Sequence, residues 1–509
     1  MPGHRPPFIT GSAWFVVVLA TLVTACGSGQ APIIESSVAV PGATTAPGAF
    51  SIVPTPRAAL VWTACGKHLQ CSQMSVPLDD AVPSAGNVEL FLERRPAGSN
   101  AKRIGSLLVN PGGPGIPGTS LVEQAANAFS ATLLDAFDIV SWDPRGTGRS
   151  TPAIACADDL DPYFSIDPSP DTPAEMQALE DAAKDFAASC ASRSGRLLDH
   201  VSTQDTARDM DAIRQALGEE RISFFGFSYG SRLGATYATL FPSRVRAMVI
   251  DGAEDPAGST AESGLAVAAA LEHALDLVLQ QCSHNAKCPF HNDGDAEGAF
   301  DRLMAALDRA PLQVSRSRPA VGQGVAITAI VSQLYSQDMW PMLTKALAKA
   351  QSGDGTLLLA MYDGYLRRRA DGTWSNVFPA LEAIDCIDDP GVTSRAEMDQ
   401  LLPRYLAVAP RFGAAFAYNF TCTDWPARPA PELTLTGKGA GPIVVVGTTG
   451  DPITPLSSTT AMAAALQGGV LVTVHADQHT GYGVNDCVVS AVDRYLTALV
   501  VPAPGLVCP

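Results

Sequence analysis

A chain of 509 residues exceeds what one hydrophobic core usually serves, so one large domain with an insertion, or two domains, is the starting expectation. Hydrophobic residues make up 46% and charged residues 17%, which describes a globular body with a sizeable core. A net charge of −17, from 34 Lys and Arg against 51 Asp and Glu, disfavours nucleic acid or anionic lipid as a partner of that body, because both need a basic face.

The opening reads as an export signal. His4 and Arg5 are basic, Phe8 to Val23 is apolar but shorter than the roughly 20 residues a bilayer crossing needs, and Val23-Thr24-Ala25-Cys26 closes it on small residues. That ending is similar to a bacterial lipobox, which implies a lipid on Cys26 and removal of residues 1–25. Residues 26–58, rich in Pro, Gly, Ser, Thr and Ala, read as a flexible tether, with membrane contact through the lipid anchor only. Setting Cys26 aside leaves ten of the 11 cysteines, an even number in an exported chain. Adjacent pairing is the simplest framework: Cys65 with Cys71, Cys156 with Cys190, Cys282 with Cys288, Cys386 with Cys422, and Cys487 with Cys508. Each bridge is worth about 2–4 kcal/mol, less in the two short loops. Cys282, His284, Cys288 and His291 are all of zinc-ligand type, but their spacing matches no standard finger. No metal or cofactor is expected.

Residues 59–255 read as the first part of the core, with strands and helices alternating from Gly105 to Asp251. Gly105 to Val109 is a buried strand running into Asn110-Pro111-Gly112-Gly113-Pro114-Gly115, a loop whose glycine amides can approach a substrate carbonyl. Gly113 is the candidate donor there, with Gly112 beside it. Phe137 to Trp142 is the next strand, and beyond it Asp143 and Arg145 are placed to pair and brace their loops. Thr203 to Leu217 is an amphipathic helix, with Ser202 and Asp205 as a capping box and Gly218 as its stop.

It leads to Arg221-Ile222-Ser223-Phe224-Phe225, a short strand, then Gly226-Phe227-Ser228-Tyr229-Gly230, then helical spacing from Ser231 to Leu240. A G-x-S-x-G between strand and helix is a nucleophile elbow. It sets Ser228 Oγ at a helix N-terminus, where free amides and the helix dipole favour an oxyanion and Tyr229 N–H can donate to one.

Val245 to Ile250 is a further strand, ended by Asp251. Residues 256–430 are then dominated by helical stretches, read as an insertion capping the carboxyl edge of a mostly parallel sheet, where ligands bind in open α/β folds. The sheet resumes in residues 431–509 at Gly441 to Val446 and Gly469 to Val474. Asp451 follows the first of these strands, and His475 and His479 follow the second. The order Ser228, Asp451, His479 is the one α/β-hydrolases use. His479, in a glycine-bearing loop with more reach, is preferred to His475 as base, and Asp451 is preferred to Asp251 or Asp255 as the acid that orients it.

Together NPGGPG, DPRGTGRS, GFSYGS, TTGDPITP, QHTGYG and the closing Cys487…Tyr495…Cys508 resemble the secreted bacterial tripeptidyl-aminopeptidase-like serine hydrolases, relatives of the proline iminopeptidases. The resemblance spans most of Trp62 to Cys508 and is thin in the insertion. It implies an α/β-hydrolase with a helical cap, Ser228, Asp451 and His479 as triad, and Gly112, Gly113 and Tyr229 as the oxyanion site. It also implies cleavage of short units from free peptide amino termini, with a peptide or small acyl group as substrate. Such an enzyme needs a buried acid for the substrate's ammonium. Glu382, Asp385, Asp388 and Asp389 around Cys386, with Glu254 or Asp255 at the sheet, supply candidates, of which Asp388 and Glu254 are chosen. The alternatives are an esterase or lipase on the same scaffold, or a catalytically silent envelope-binding lipoprotein.

Overall fold

The computed structural model describes residues 58–257 and 260–509, so the signal segment, Cys26 and nearly all of the tether lie outside the described residues. Ten strands form one sheet in the order β1-β2-β3-β5-β4-β6-β7-β8-β9-β10. β1 (Thr63–Gly66), β2 (Leu69–Pro77) and β3 (Asn87–Arg95) run antiparallel to their neighbours, and β3 meets β5 (Phe137–Asp143) antiparallel. From β5 onward β4 (Gly105–Asn110), β6 (Ile222–Phe227), β7 (Val245–Asp251), β8 (Ile443–Thr448), β9 (Gly469–Val474) and β10 (Leu506–Cys508) are parallel. The parallel part is the expected one. The antiparallel edge and β10 are additions to the sequence reading.

Successive residues of a strand face opposite sides, and both sides here are buried. Leu107, Val109, Phe225, Val249, Val444 and Val446 pack on one face with Val488, Val492 and Leu496 of the last helix, Asp486–Ala498. Leu108, Phe224, Met248, Ile250, Ile443 and Val445 pack on the other, continuous with the core of the inserted helices. That insert leaves the sheet after β7 and returns at β8. Among the described residues from 260 to 417 it contains helices and no strand.

The capping box forms as read, Asp205 N–H donating to Ser202 Oγ at 3.1 Å and Ser202 N–H to Asp205 Oδ2 at 3.3 Å. All five adjacent disulfides are present. The Cys282–Cys288 bridge uses the two thiols that a zinc reading of that stretch requires.

One expectation is corrected. Arg145 does not pair with Asp143; it forms a buried two-pronged pair with Asp209, at 2.8 Å on each side, and donates to the carbonyls of Leu78 and His200. Asp143 instead accepts from Thr119 N–H and Oγ1 and from Arg149 N–H. The chain turns away between residues 143 and 145, so the guanidinium reaches the helix Thr203–Ala216. Removing one partner of a buried pair strands the other charge, so Arg145→Met should lower unfolding free energy by about 3–5 kcal/mol in a urea titration. Arg145→Met with Asp209→Leu should restore most of it.

Candidate active site

The site stands where the winding of the sheet reverses. From β4 the chain moves to β5 on one side, then crosses to β6 on the other, so β4 and β6 are neighbours whose following loops diverge and leave a crevice. The loop after β4 carries Gly112 and Gly113, and β6 ends directly at Ser228.

Ser228 takes φ 55° and ψ −126° between β6 and the helix Tyr229–Leu240. That left-handed conformation costs a non-glycine residue about 1–3 kcal/mol and is held by its surroundings. Ser228 N–H donates to Asp251 O at 2.8 Å, and a Cβ on Gly226 would lie 2.2 Å from Gly230 O, so only glycine permits the turn. Gly112 packs on the elbow itself: a Cβ there would lie 2.8 Å from Ser228 Cβ and 3.4 Å from Tyr229 N. Its own N–H donates to Asn110 Oδ1 at 2.8 Å, which leaves Gly113 as the loop's candidate oxyanion donor opposite Tyr229 N–H.

His479 Nδ1 lies 2.9 and 3.0 Å from the two oxygens of Asp451. Asp451 is 3% exposed and also accepts from the N–H groups of Ile453, Thr454 and Thr480 and from Thr454 Oγ1. A carboxylate held by so many donors cannot rotate, so it fixes the imidazole plane and directs Nε2 away from itself. Ser228 Oγ and His479 Nε2 are both enclosed, and neither has a hydrogen-bond partner. They face a shared landmark: Asp251 O accepts from Ser228, and His479 Cε1 would lie 3.2 Å from a Cβ on the next residue, Gly252.

The competing residues fall elsewhere. His475 is exposed, its N–H on Cys508 O. The Asp251 carboxylate accepts Gly481 N–H at 2.8 Å and Tyr482 N–H at 2.7 Å; full burial, opposed by those amides, pushes it up to about 7. It therefore anchors the histidine loop and does not contact the imidazole nitrogens. The insert grips the same loop from above. His479 N–H donates to Tyr335 O at 2.8 Å, the Tyr335 ring stands edge-on to the imidazole at 5.5 Å, and Gln337 Nε2 donates to Asp477 Oδ2 at 2.6 Å.

Beside this constellation lies a cavity of about 530 Å³ whose wall includes Tyr229 and Thr454, the neighbours of nucleophile and base. Glu254, Asp255, Asp385, Asp388, Asp389 and Glu432 line it, with Arg232 as the cation among them. Arg232 lies 3.6 Å from Glu254 and 3.9 Å from Asp388. Asp388 is further committed to Thr203, accepting from its N–H at 2.8 Å and its hydroxyl at 2.5 Å. Asp385 Oδ2 is enclosed and has no hydrogen-bond partner. Burial raises the carboxyls of Glu254, Asp388 and Asp385, the last well above its ordinary value, and pushes Asp389 up to about 6. Glu382, on the same helix Val377–Asp388, does not join them and lines a separate cavity.

Comparison with known proteins adds sequence evidence to this geometry. Residues 105–331 match the model of the alpha/beta hydrolase fold and residues 409–508 that of the TAP-like protein. Serine protease Hip1 of Mycobacterium tuberculosis is 35% identical over 458 residues, 86% of this chain and 87% of its own. The chain belongs to the TAP-like α/β-hydrolases. Carboxylesterase B of Mycobacterium tuberculosis is 35% identical over 507 residues, 94% of each chain, and tripeptidyl aminopeptidase of Streptomyces lividans 31% over 460 residues, 86% of this chain and 84% of its own.

This TAP-like hydrolase is a serine hydrolase. Its sequence hid two contributors to the site. Thr454, three residues past Asp451, sets its hydroxyl 2.9 Å from Asp451 Oδ2 and 3.3 Å from His479 Nδ1; the run TTGDPITP contained it without marking it. Tyr335 had no signal at all, being 144 positions upstream of the histidine it holds. With the triad as assigned, His479→Ala should lower turnover of an activated ester by about 10⁶-fold and Asp451→Asn by about 10⁴-fold. His475→Ala should leave turnover unchanged. Steady-state rates of the three purified variants provide the check.

Proposed function

We propose that this TAP-like hydrolase is an exported, lipid-anchored serine exopeptidase that releases short peptides or residues from free amino termini through an acyl-enzyme. One observation supports the exopeptidase reading above the rest: among the described residues six carboxyl groups and a single arginine line the cavity next to the nucleophile, and one enclosed carboxylate oxygen, Asp385 Oδ2, has no partner. An unpaired buried acid is costly until a cation reaches it, and a peptide's α-ammonium is such a cation. With Asp388 held by Thr203, Asp385 and Glu254 are the acids with most capacity left.

In this reading Ser228 Oγ attacks the scissile carbonyl while His479 Nε2 takes its proton. Asp451 keeps the remaining imidazole proton on Nδ1 and stabilises the cation formed. The carbonyl oxygen, now charged, accepts from Tyr229 N–H and Gly113 N–H. His479 returns its proton to the leaving amine, and water entering the same position repeats the sequence to free the acyl product. The enclosed site, with Ser228 1% exposed, favours chain ends over the middle of a folded protein.

Five disulfides support an oxidising compartment, and the lipobox-like Val23-Thr24-Ala25-Cys26 supports the anchor. Cys26→Ser should move the protein from the membrane fraction to the medium, as read by immunoblot of fractionated cells. An esterase remains the second reading, favoured by the relative named carboxylesterase B.

The decisive comparison is a tripeptidyl anilide with a free amine, the same anilide acetylated, and a short nitrophenyl ester. The free-amine peptide should be hydrolysed with much the lowest KM, and acetylation should raise KM. Protonating the cavity acids removes the charge that holds the ammonium, and burial raises both Asp385 and Glu254, so this advantage should shrink as pH falls. Equal use of both anilides, or turnover of the ester alone, would refute the exopeptidase assignment.

A further inference from the structure

Glu382 sits on the helix Val377–Asp388 between two parts of the catalytic region. Leu381 N, one residue before it, would lie 2.7 Å from a Cβ on Gly115 of the oxyanion loop, and Asp385, nearly one turn after it, lines the acidic cavity beside Tyr229. Yet Glu382 opens on a different space. That cavity measures about 190 Å³ and is walled mainly by apolar groups, among them Phe164, Phe186, Ile327, Val331 and Phe378. Glu382 is 5% exposed and no hydrogen bond or ion pair joins it to any described residue.

A lone carboxyl in such a setting is expensive in its charged form, and a packed core would gain by replacing it with Leu or Met. Its neighbours do not neutralise it. The phenols of Tyr163, Tyr365 and Tyr418 share the cavity wall, and no cationic side chain lines it among the described residues. At about 30 Å³ for each water-sized unit, the space holds about six heavy atoms. Six heavy atoms with an apolar flank and one cationic end describe an unbranched alkylammonium.

We propose that this cavity is a subsite for an aliphatic chain ending in a nitrogen cation, with Glu382 as its counter-ion and a substrate side chain of the lysine class as the natural occupant. Identification of the occupant as a peptide side chain rests on the exopeptidase reading above; the existence of the cation site does not. Burial pushes the Glu382 carboxyl up to about 7, so near neutrality an arriving ammonium displaces a proton. Binding should therefore strengthen as pH rises through about 7 and release a proton to the buffer.

The test separates binding from turnover. Full-length Ser228→Ala protein is titrated with pentylamine and with 1-pentanol by calorimetry, at pH 6 and pH 8 and in two buffers of different ionisation enthalpy. Pentylamine should bind at least about tenfold more tightly than pentanol at pH 8, a difference of 1.4 kcal/mol, and its weaker binding at pH 6 should release a proton. Adding Glu382→Gln should abolish the difference. Equal binding of amine and alcohol, no binding of either, or an amine preference that survives Glu382→Gln would overturn the proposal.

In the active enzyme, peptides carrying lysine or norleucine at each position should show a lysine preference at one position. Glu382→Leu should convert it to a norleucine preference, with fluorophosphonate labelling of Ser228 reporting that the variant is folded. A preference that persists in amino-acetylated peptides assigns the cavity to a side chain, and one that vanishes moves it to the α-ammonium and overturns the side-chain assignment. Intact pentylamine binding without any peptide turnover would refute the exopeptidase reading and leave the cation site standing.

Discussion

Asp251 ties together the two halves of the site. Its carbonyl accepts the N–H of Ser228, and its carboxylate accepts the N–H groups of Gly481 and Tyr482, two and three residues past His479. The candidate nucleophile and base come from segments about 250 positions apart, yet both are referenced to one residue at the end of one strand. The arrangement is costly, because a carboxylate fully out of water resists ionisation and this one is pushed up to about 7. Two backbone donors offset part of that cost, and what the fold gains is registry between the elbow and the histidine loop.

A second set of contacts ties the base to the insert. The amide of His479 is bonded to Tyr335 O, and Gln337 reaches Asp477, so the loop is held from the sheet below and from the helices above. The helix Val377–Asp388 is equally embedded in the site, with Leu381 against the oxyanion loop and Asp385 in the cavity beside Tyr229. The insert is therefore part of the catalytic framework as well as its roof. In such a construction substrate selection and orientation of the base share the same supports, so changes in the insert are felt at the imidazole.

The charges follow the same division. Acids of the outer cavity are arranged around Arg232, which keeps several of them partly compensated and leaves Asp385 as the exception. Glu382 faces an apolar space with no compensation. Both unpaired groups lie on one helix, which packs against Gly115 of the oxyanion loop. Structural ion pairs such as Arg145 with Asp209, by contrast, are fully matched and lie deeper in the core.

Local patterns carried much of this molecule in readable form. The elbow and the capped helix before it depend on residues within a few positions of one another, and so do the adjacent disulfides; the chain order of Ser228, Asp451 and His479 survives any folding. Even Thr480, beside the histidine, takes a φ of 68°, a conformation that glycine adopts more readily. Other elements left weak traces for physical reasons. The helix Pro173–Ser194 buries only Met176, Phe186, Ala187 and Cys190, too thin a stripe to read, and Gln323–Leu334 is buried almost all round, which erases periodicity. Spacing along Val377–Asp388 puts Glu382, Asp385 and Asp388 on one face, and the chain alone could not say that neighbouring helices divide that face between two cavities. Sequence thus determined the chemistry available and the order in which it is strung. Tertiary structure decided which acid holds the histidine, which anchors its loop, and which remain unpaired, because those roles depend on distances between segments that share no local pattern.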